Sequence, residues 1–367
     1  MQGVMAGTAR AGKMATIEAS RGIAALIVLL MHAANLMEPE HFSGHIGMGR
    51  IFDFGYVGVD YFFVLSGFII TFVHYPEIGQ IGSLPRYLWR RVSRIFPIYW
   101  AILLLSIVVT SGGRLLMGKP IGFEIGLEDI AGTVFLVMGM GEPKYVGVAW
   151  SLQYEMMFYL AFCLLLASAR VGFAAFMAWG VYVLARIAGV ISLEVPLLDS
   201  PHCLEFLMGV SVGVFLRRRE VATGYPTLIA VLGAFILAVL LELYGPFGRH
   251  AAFGRLLLGA ASAAVLIALV GLDAQRAPRV PAWLVRLGSV SYSVYLGHIL
   301  FVSLAYMFLL KLGLYRRLPE ALVYVSAVGG ALVATISIGT FVELPLVAVL
   351  KGLRVRKVGA AAREGAA

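Results

Sequence analysis

Charge is what this sequence has least of. Asp, Glu, Lys and Arg make up 13% of its 367 residues, against about 25% in soluble domains. A water-soluble fold of this length cannot cover its surface with so few charges, so a soluble globular enzyme is excluded. Cysteine is scarce too. Cys163 and Cys203 lie in or beside apolar segments, and two such thiols make neither a disulfide framework nor a metal site. No period of about 20–50 residues recurs, which removes solenoids and propellers. What is present is apolar surface: 60% of residues are hydrophobic and mean hydropathy is +0.91. Disorder, collagen and coiled coil fail on the same values, leaving a polytopic membrane protein with lipid as the solvent of its outer face.

Apolar runs long enough to span, at roughly 20 residues each, fall at 17–37, 54–75, 95–111, 150–169, 171–192, 201–216, 225–244, 252–272, 289–310 and 320–348. The chain therefore reads as an all-α integral membrane protein of about ten transmembrane helices, the third and sixth being short. The apolar stretch 128–140 is briefer and reads as re-entrant or interfacial. Net charge is +9, and the basic residues sit mainly in short loops. Eighteen Lys and Arg lie in segments on the N-terminal side and eight on the other, which by the positive-inside rule makes both termini cytoplasmic. This placement of charge argues for membrane orientation and against a nucleic-acid partner. Residues 1–13 read as a disordered lead, 14–350 as the membrane domain and 351–367 as a basic cytoplasmic tail. A cleaved signal peptide is not expected, since Arg21 and His32 flank the first apolar run and nine more follow.

Charges inside spans cost at least about 2.5–3.5 kcal/mol each at mid-depth, so each is a functional hypothesis. Arg21 and His32 are eleven residues apart on the first helix. That spacing is three turns plus about 20°, on one face and roughly 16 Å along the axis. Glu18 is placed to pair with Arg21 at i,i+3. Arg21 is otherwise a snorkelling anchor, and His32 otherwise a helix–helix hydrogen bond. The sharper reading of His32 is a general base. The second span carries Asp60 near its outer end, with Gly58, Ser66 and Gly67 as small packing faces. Arg90, Arg91 and Arg94 lie on a basic amphipathic helix at the cytoplasmic boundary. Guanidinium forks there suit a phosphate-rich ligand, or equally anionic lipid headgroups. The helix limits put His32, Asp60, Glu155, Arg186, His202, Glu205 and Arg255 in the outer third, which predicts one outward-facing polar cavity.

The runs Gly58-Val59-Asp60-Tyr61-Phe62-Phe63-Val64-Leu65-Ser66-Gly67, Arg91-Val92-Ser93-Arg94, Ser151-Leu152-Gln153-Tyr154-Glu155, Leu287 to His298, and Val342-Glu343-Leu344-Pro345, together with Arg21 and His32, resemble the membrane acyltransferase 3 family. The likeness runs from about 15 to 350, and is nearest to bacterial members that O-acetylate exopolysaccharide or related glycans. The resemblance implies a multi-pass protein of the bacterial inner membrane. It would move an acetyl (acyl) group from cytoplasmic acyl-CoA to a glycan or exopolysaccharide hydroxyl on or near the outer face. Acetyl-CoA is then the acyl-donor substrate, and no metal is expected.

Carried over residue by residue, His32 corresponds to the catalytic histidine and Arg21 to its partner, and Arg91 and Arg94 match the motif linked to acyl-CoA. Asp60 or Glu155 would orient the imidazole. Arg90, Ser66 and His298 join the donor-binding set, and Arg186, His202, Glu205 and Arg255 the acceptor side. An acyl-histidine intermediate stays open. No appended esterase-like domain is seen, so transfer would be completed within this chain or with a partner. The rival reading is a non-enzymatic transporter or flippase for a lipid-linked glycan or polyanion, against which stands the lack of a repeated half with matching broken helices.

Overall fold

Helices occupy every segment where the apolar runs predict a span. The structure, a computed structural model, describes residues 14–37, 49–116, 118, 126–246, 251–275 and 280–350. The lead at 1–13 and the tail at 351–367 lie outside the described residues. The helices are α1 (Ala15–Leu36), α2 (Val57–His74), α3 (Leu84–Leu116), α4 (Leu127–Phe135), α5 (Trp150–Ala167), α6 (Ala169–Ile187), α7 (Pro201–Arg218), α8 (Tyr225–Tyr244), α9 (Ala252–Ala274), α10 (Ala282–Ser289), α11 (Ser291–Lys311) and α12 (Glu320–Ile338). The described residues contain no strand. The last helix continues through a π-turn, Gly339–Glu343, into a terminal helical stretch.

Nine helical stretches among the described residues are long and apolar enough to cross a membrane. The sixth expected span, α7, is an 18-residue helix but is not one of them. His202, Glu205, Arg217 and Arg218 lower its apolarity. It tolerates them because it is an inner helix. Gly67 and Gly209 let α2 and α7 run parallel with backbones in contact, so that a methyl group at either would strike the other helix's carbonyl oxygens. The region 128–140 forms α4, nine residues long and too short to span. It is tied to α3, where Trp100 Nε1 donates to Val134 O at 2.8 Å and the Tyr99 hydroxyl to Thr133 O.

The basic stretch 86–94 is the largest departure from expectation. It is no separate interfacial helix. It is the first third of α3, one continuous 33-residue helix with Pro97 inside it, roughly 50 Å long. Proline there removes one backbone donor.

At the centre stands α1, which packs against α2, α9, α10, α11 and α12. It runs antiparallel to α2 and parallel to α11. Tyr61 Oη on α2 donates to Ser20 Oγ at 2.6 Å, and Tyr306 Oη on α11 donates to Ala33 O at 2.9 Å. One apolar core gathers residues of α3, α5, α6 and α7, and a second joins α1, α11 and α12. The functional side chains lie on the seam between these two cores.

Candidate active site

A cavity of about 100 Å³ lies on this seam. Its charged lining is Arg21 from α1, Arg91 and Arg94 from α3, and Glu155 from α5. Along α2 it follows Val59, Phe62, Phe63, Ser66, Ile69 and Ile70, a stretch of about 16 Å. Three guanidinium groups against the single carboxylate of Glu155 give the charged lining an excess of positive charge.

Local chemistry holds the arginines in place. Arg91 is only 7% exposed. Its guanidinium lies 5.4 Å from the Tyr87 ring centroid and 5.2 Å from that of Tyr159, a planar cation between π faces. Its Nε atom has no hydrogen-bond partner. The Tyr159 hydroxyl donates to Glu155 Oε1, which turns that carboxylate along its own helix at i,i+4. Arg21 pairs with Glu18 at 3.4 Å, as the i,i+3 spacing predicts. Ser66 is half-buried and lines the cavity, whereas Arg90 is exposed and does not line it. At its far end, Tyr295 bounds the space. Ser151 Oγ donates to Val148 O at 2.9 Å and accepts from the Tyr295 hydroxyl at 2.8 Å. The Phe62 and Tyr295 rings meet edge-on, with centroids 5.7 Å apart.

His32 lies beyond that aromatic pair. Its Nδ1 is 3.2 Å from Nε2 of His298 and 3.0 Å from Val28 O. His298 is fully buried, and Tyr295, one turn earlier on α11, has its ring centroid 6.1 Å away. His298 is thus the neighbour of His32 and does not line the arginine cavity.

The single outer cavity expected from sequence is instead four separate places: Glu155 lines the arginine cavity, His32 meets His298, and the other five residues fall in two further groups. Asp60, His202, Glu205 and Arg255 form a buried knot joining α2, α7 and α9. Arg255 Nη1 donates to Asp60 Oδ1, and His202 Nδ1 lies 2.8 Å from Glu205 Oε2 and 3.7 Å from Asp60 Oδ1. Arg186 instead pairs with Glu194 at 3.0 Å and Asp199 at 3.7 Å, and donates to Ile191 O, bracing the connection after α6. Neither acid proposed to orient the imidazole does so. Asp60 is engaged by Arg255, and Glu155 by Tyr159.

Asp60, His202 and Glu205 each offer a ligand atom, all within 4.8 Å of one another. The guanidinium on Asp60 opposes a divalent cation there, because it would place a second positive charge against the same carboxylate. The set also links three helices through its ion pairs.

Tyr159, Tyr292, Tyr295 and Ser151 also line the cavity, although the sequence assigns none of them a role of its own. Their signal was their helical spacing from recognised residues: Tyr159 four after Glu155, and Tyr295 three before His298.

Comparison with known proteins shows which family the chain belongs to. The chain is similar over 324 residues to the exopolysaccharide production protein ExoZ of Rhizobium meliloti (strain 1021). Identity is 29%, covering 85% of this chain and 95% of that protein. Over 154 residues it is 30% identical to the "Putative peptidoglycan O-acetyltransferase YrhL" of Bacillus subtilis (strain 168), covering 38% of this chain and 23% of that protein. No solved structure matches the chain. The family model described as "Acyltransferase domain" matches residues 14–340, which include α1 with Arg21 and His32, the arginine cavity and His298, and the chain belongs to this acyltransferase 3 family of multi-pass membrane proteins.

Proposed function

We propose that this protein transfers an acetyl group from acyl-CoA, entering from the cytoplasmic side, to a hydroxyl of a glycan or exopolysaccharide on the opposite side of the inner membrane. The observation that carries the reading is the alignment of the cavity. Three arginines gather toward one end of α1, and the cavity climbs along α2 to an aromatic pair whose Tyr295 stands one turn before His298, the neighbour of His32.

The phosphates of the donor would rest on Arg91, Arg94 and Arg21, with guanidinium forks matching phosphate oxygens. The pantetheine arm would lie along the apolar wall of α2, with its thioester directed past Phe62 and Tyr295. His32 Nε2 would take the proton of the acceptor hydroxyl while that oxygen attacks the thioester carbonyl carbon. The carbon–sulfur bond then breaks, the thiolate leaves, and the proton on Nε2 passes to the sulfur. His32 is half-buried and leaves room for an acceptor arriving from the C-terminal end of α1.

Purified protein in nanodiscs tests this with acetyl-CoA and de-O-acetylated polysaccharide from the source cells. Thiol release that depends on the polysaccharide, and disappears in His32→Ala while acetyl-CoA still binds, is the expected result. Release that persists in the variant would move the chemistry off α1, and absence of acetyl-CoA binding by the folded wild type would end the reading altogether.

A further inference from the structure

The two ring nitrogens of His298 face different groups. Nδ1 lies 3.2 Å from Val294 O, and Nε2 lies 3.2 Å from His32 Nδ1, which itself is 3.0 Å from Val28 O. A carbonyl oxygen only accepts, and a neutral imidazole carries one hydrogen. One assignment satisfies all three contacts. His298 Nδ1–H donates to Val294 O, leaving its Nε2 bare. His32 Nδ1–H is shared between Val28 O and that bare nitrogen, leaving His32 Nε2 bare in turn. The reverse arrangement, with the hydrogen on His298 Nε2, turns lone pairs of both Nδ1 atoms onto carbonyl oxygens. The rings are inclined at 56° with centroids 5.0 Å apart, which is compatible with an N–H···N contact and not a parallel stack.

We propose that His298 is a positioning residue, which fixes the tautomer and ring angle of His32 so that Nε2 of His32 is the atom that accepts the hydroxyl proton. The inference rests on His32 being the base. Once Nε2 is protonated, the cationic ring keeps its Nδ1–H on His298 Nε2, and that hydrogen bond becomes charge-assisted. No bond to His298 forms or breaks, and its own hydrogen stays on Nδ1. In Ser-His-Asp triads a carboxylate holds this place. At this depth an additional anion would carry the penalty of a charge in lipid, which a neutral imidazole avoids. His298 has no solvent exposure, so no water competes for the contact.

The test compares wild type, His298→Gln, His298→Phe and His32→Ala in nanodiscs, again with acetyl-CoA and de-O-acetylated polysaccharide. Glutamine offers an amide oxygen near the place of Nε2, whereas phenylalanine fills the space with no acceptor. We expect His298→Phe to lower kcat about 100-fold, within the usual range for general-base effects, with KM for acetyl-CoA unchanged. His298→Gln should recover at least a tenth of the wild-type kcat. 15N spectra of histidine-labelled wild type should show His32 protonated at Nδ1 and bare at Nε2.

A wild-type kcat in His298→Phe would overturn the proposal. So would equal losses in both variants, a raised acetyl-CoA KM, or a His32 ring protonated at Nε2. Activity in His32→Ala would instead remove the base itself, so the two failures are told apart. Should His298→Phe not fold, the glutamine variant and the labelled wild type still decide.

Discussion

Gly67 on α2 and Gly209 on α7 each lie against the backbone of the other's helix. A methyl group at Gly67 would strike Phe206 O, and one at Gly209 would strike Val64 O. The contact is mutual, so the two helices cannot separate at one position without opening the other. Next to it, α7 presents His202 and Glu205 to Asp60 and α9, so this crossing also sets the geometry of the buried knot.

Gly209→Ala should therefore destabilise strongly. Overpacking a tight core costs about 1–3 kcal/mol, and a clash with backbone puts this site at the upper end. The check is the melting temperature of detergent-solubilised protein by size-exclusion chromatography. A value equal to wild type would mean that the helices separate at no cost.

Arg91→Lys keeps the charge and loses the plane. Between the Tyr87 and Tyr159 rings a flat guanidinium is held on two faces, while an ammonium has neither the stacking surface nor the fork. Acetyl-CoA affinity, measured calorimetrically, should fall about tenfold, the loss of one charge-assisted contact of roughly 1.5 kcal/mol. The same affinity for lysine and arginine would show that only net charge is read.

Tyr295→Ala should uncouple the reaction. Tyr295 closes the far end of the cavity, with its hydroxyl on Ser151 and its ring edge-on to Phe62. Enclosed sites suppress hydrolysis of reactive groups by excluding water. Thiol release from acetyl-CoA without any acceptor should rise several-fold in this variant. A rate no higher than wild type would mean that the ring is not the barrier.

Outside the spans, the ammonium of Lys144 donates to Asp129 at 2.8 Å and the Gly126 amide at 3.1 Å, and the two hold its carboxyl below the usual carboxylate range. A depressed folded value gives stabilisation that is complete above the unfolded value of about 3.9 and is lost as pH falls through the lower, folded one. Hydrogen exchange in α4, corrected for intrinsic rates, should stay slow down to about pH 4 and quicken below it. Quickening at mildly acidic pH would contradict this link, and Lys144→Met should flatten the pH dependence.

The helices were legible because lipid imposes a length and an apolarity on each span, and both are local properties. Arg21, Glu18 and His32 were legible for the same reason, since spacing on one helix fixes which side chains share a face. The continuity of α3 was not. Arg86, Arg90, Arg91 and Arg94 read as a boundary, and what buries Arg91 is Tyr159, which reaches it only through tertiary packing. Equal depth likewise suggested one cavity for His32, Asp60, Glu155, Arg186, His202, Glu205 and Arg255, because depth follows from position in a span. Lateral separation depends on helix order around the bundle, and no pattern within a single helix encodes it. The local pairing of Arg186 with Glu194 and Asp199 lay within thirteen residues and was open to view.

The first helix is also a gauge. Arg21 borders the arginine cavity and His32 meets His298, so under the proposed function a single helix would set the interval between the grip on a carrier's anionic end and the place where its acyl end is used. Adding one residue between them would swing Arg21 about 100° off the seam, whereas adding seven would restore its bearing and lengthen the interval by about 10 Å. Discrimination among acyl carriers is on this view a matter of backbone rise per residue, and point substitutions would leave it intact while changes in helix length would reset it.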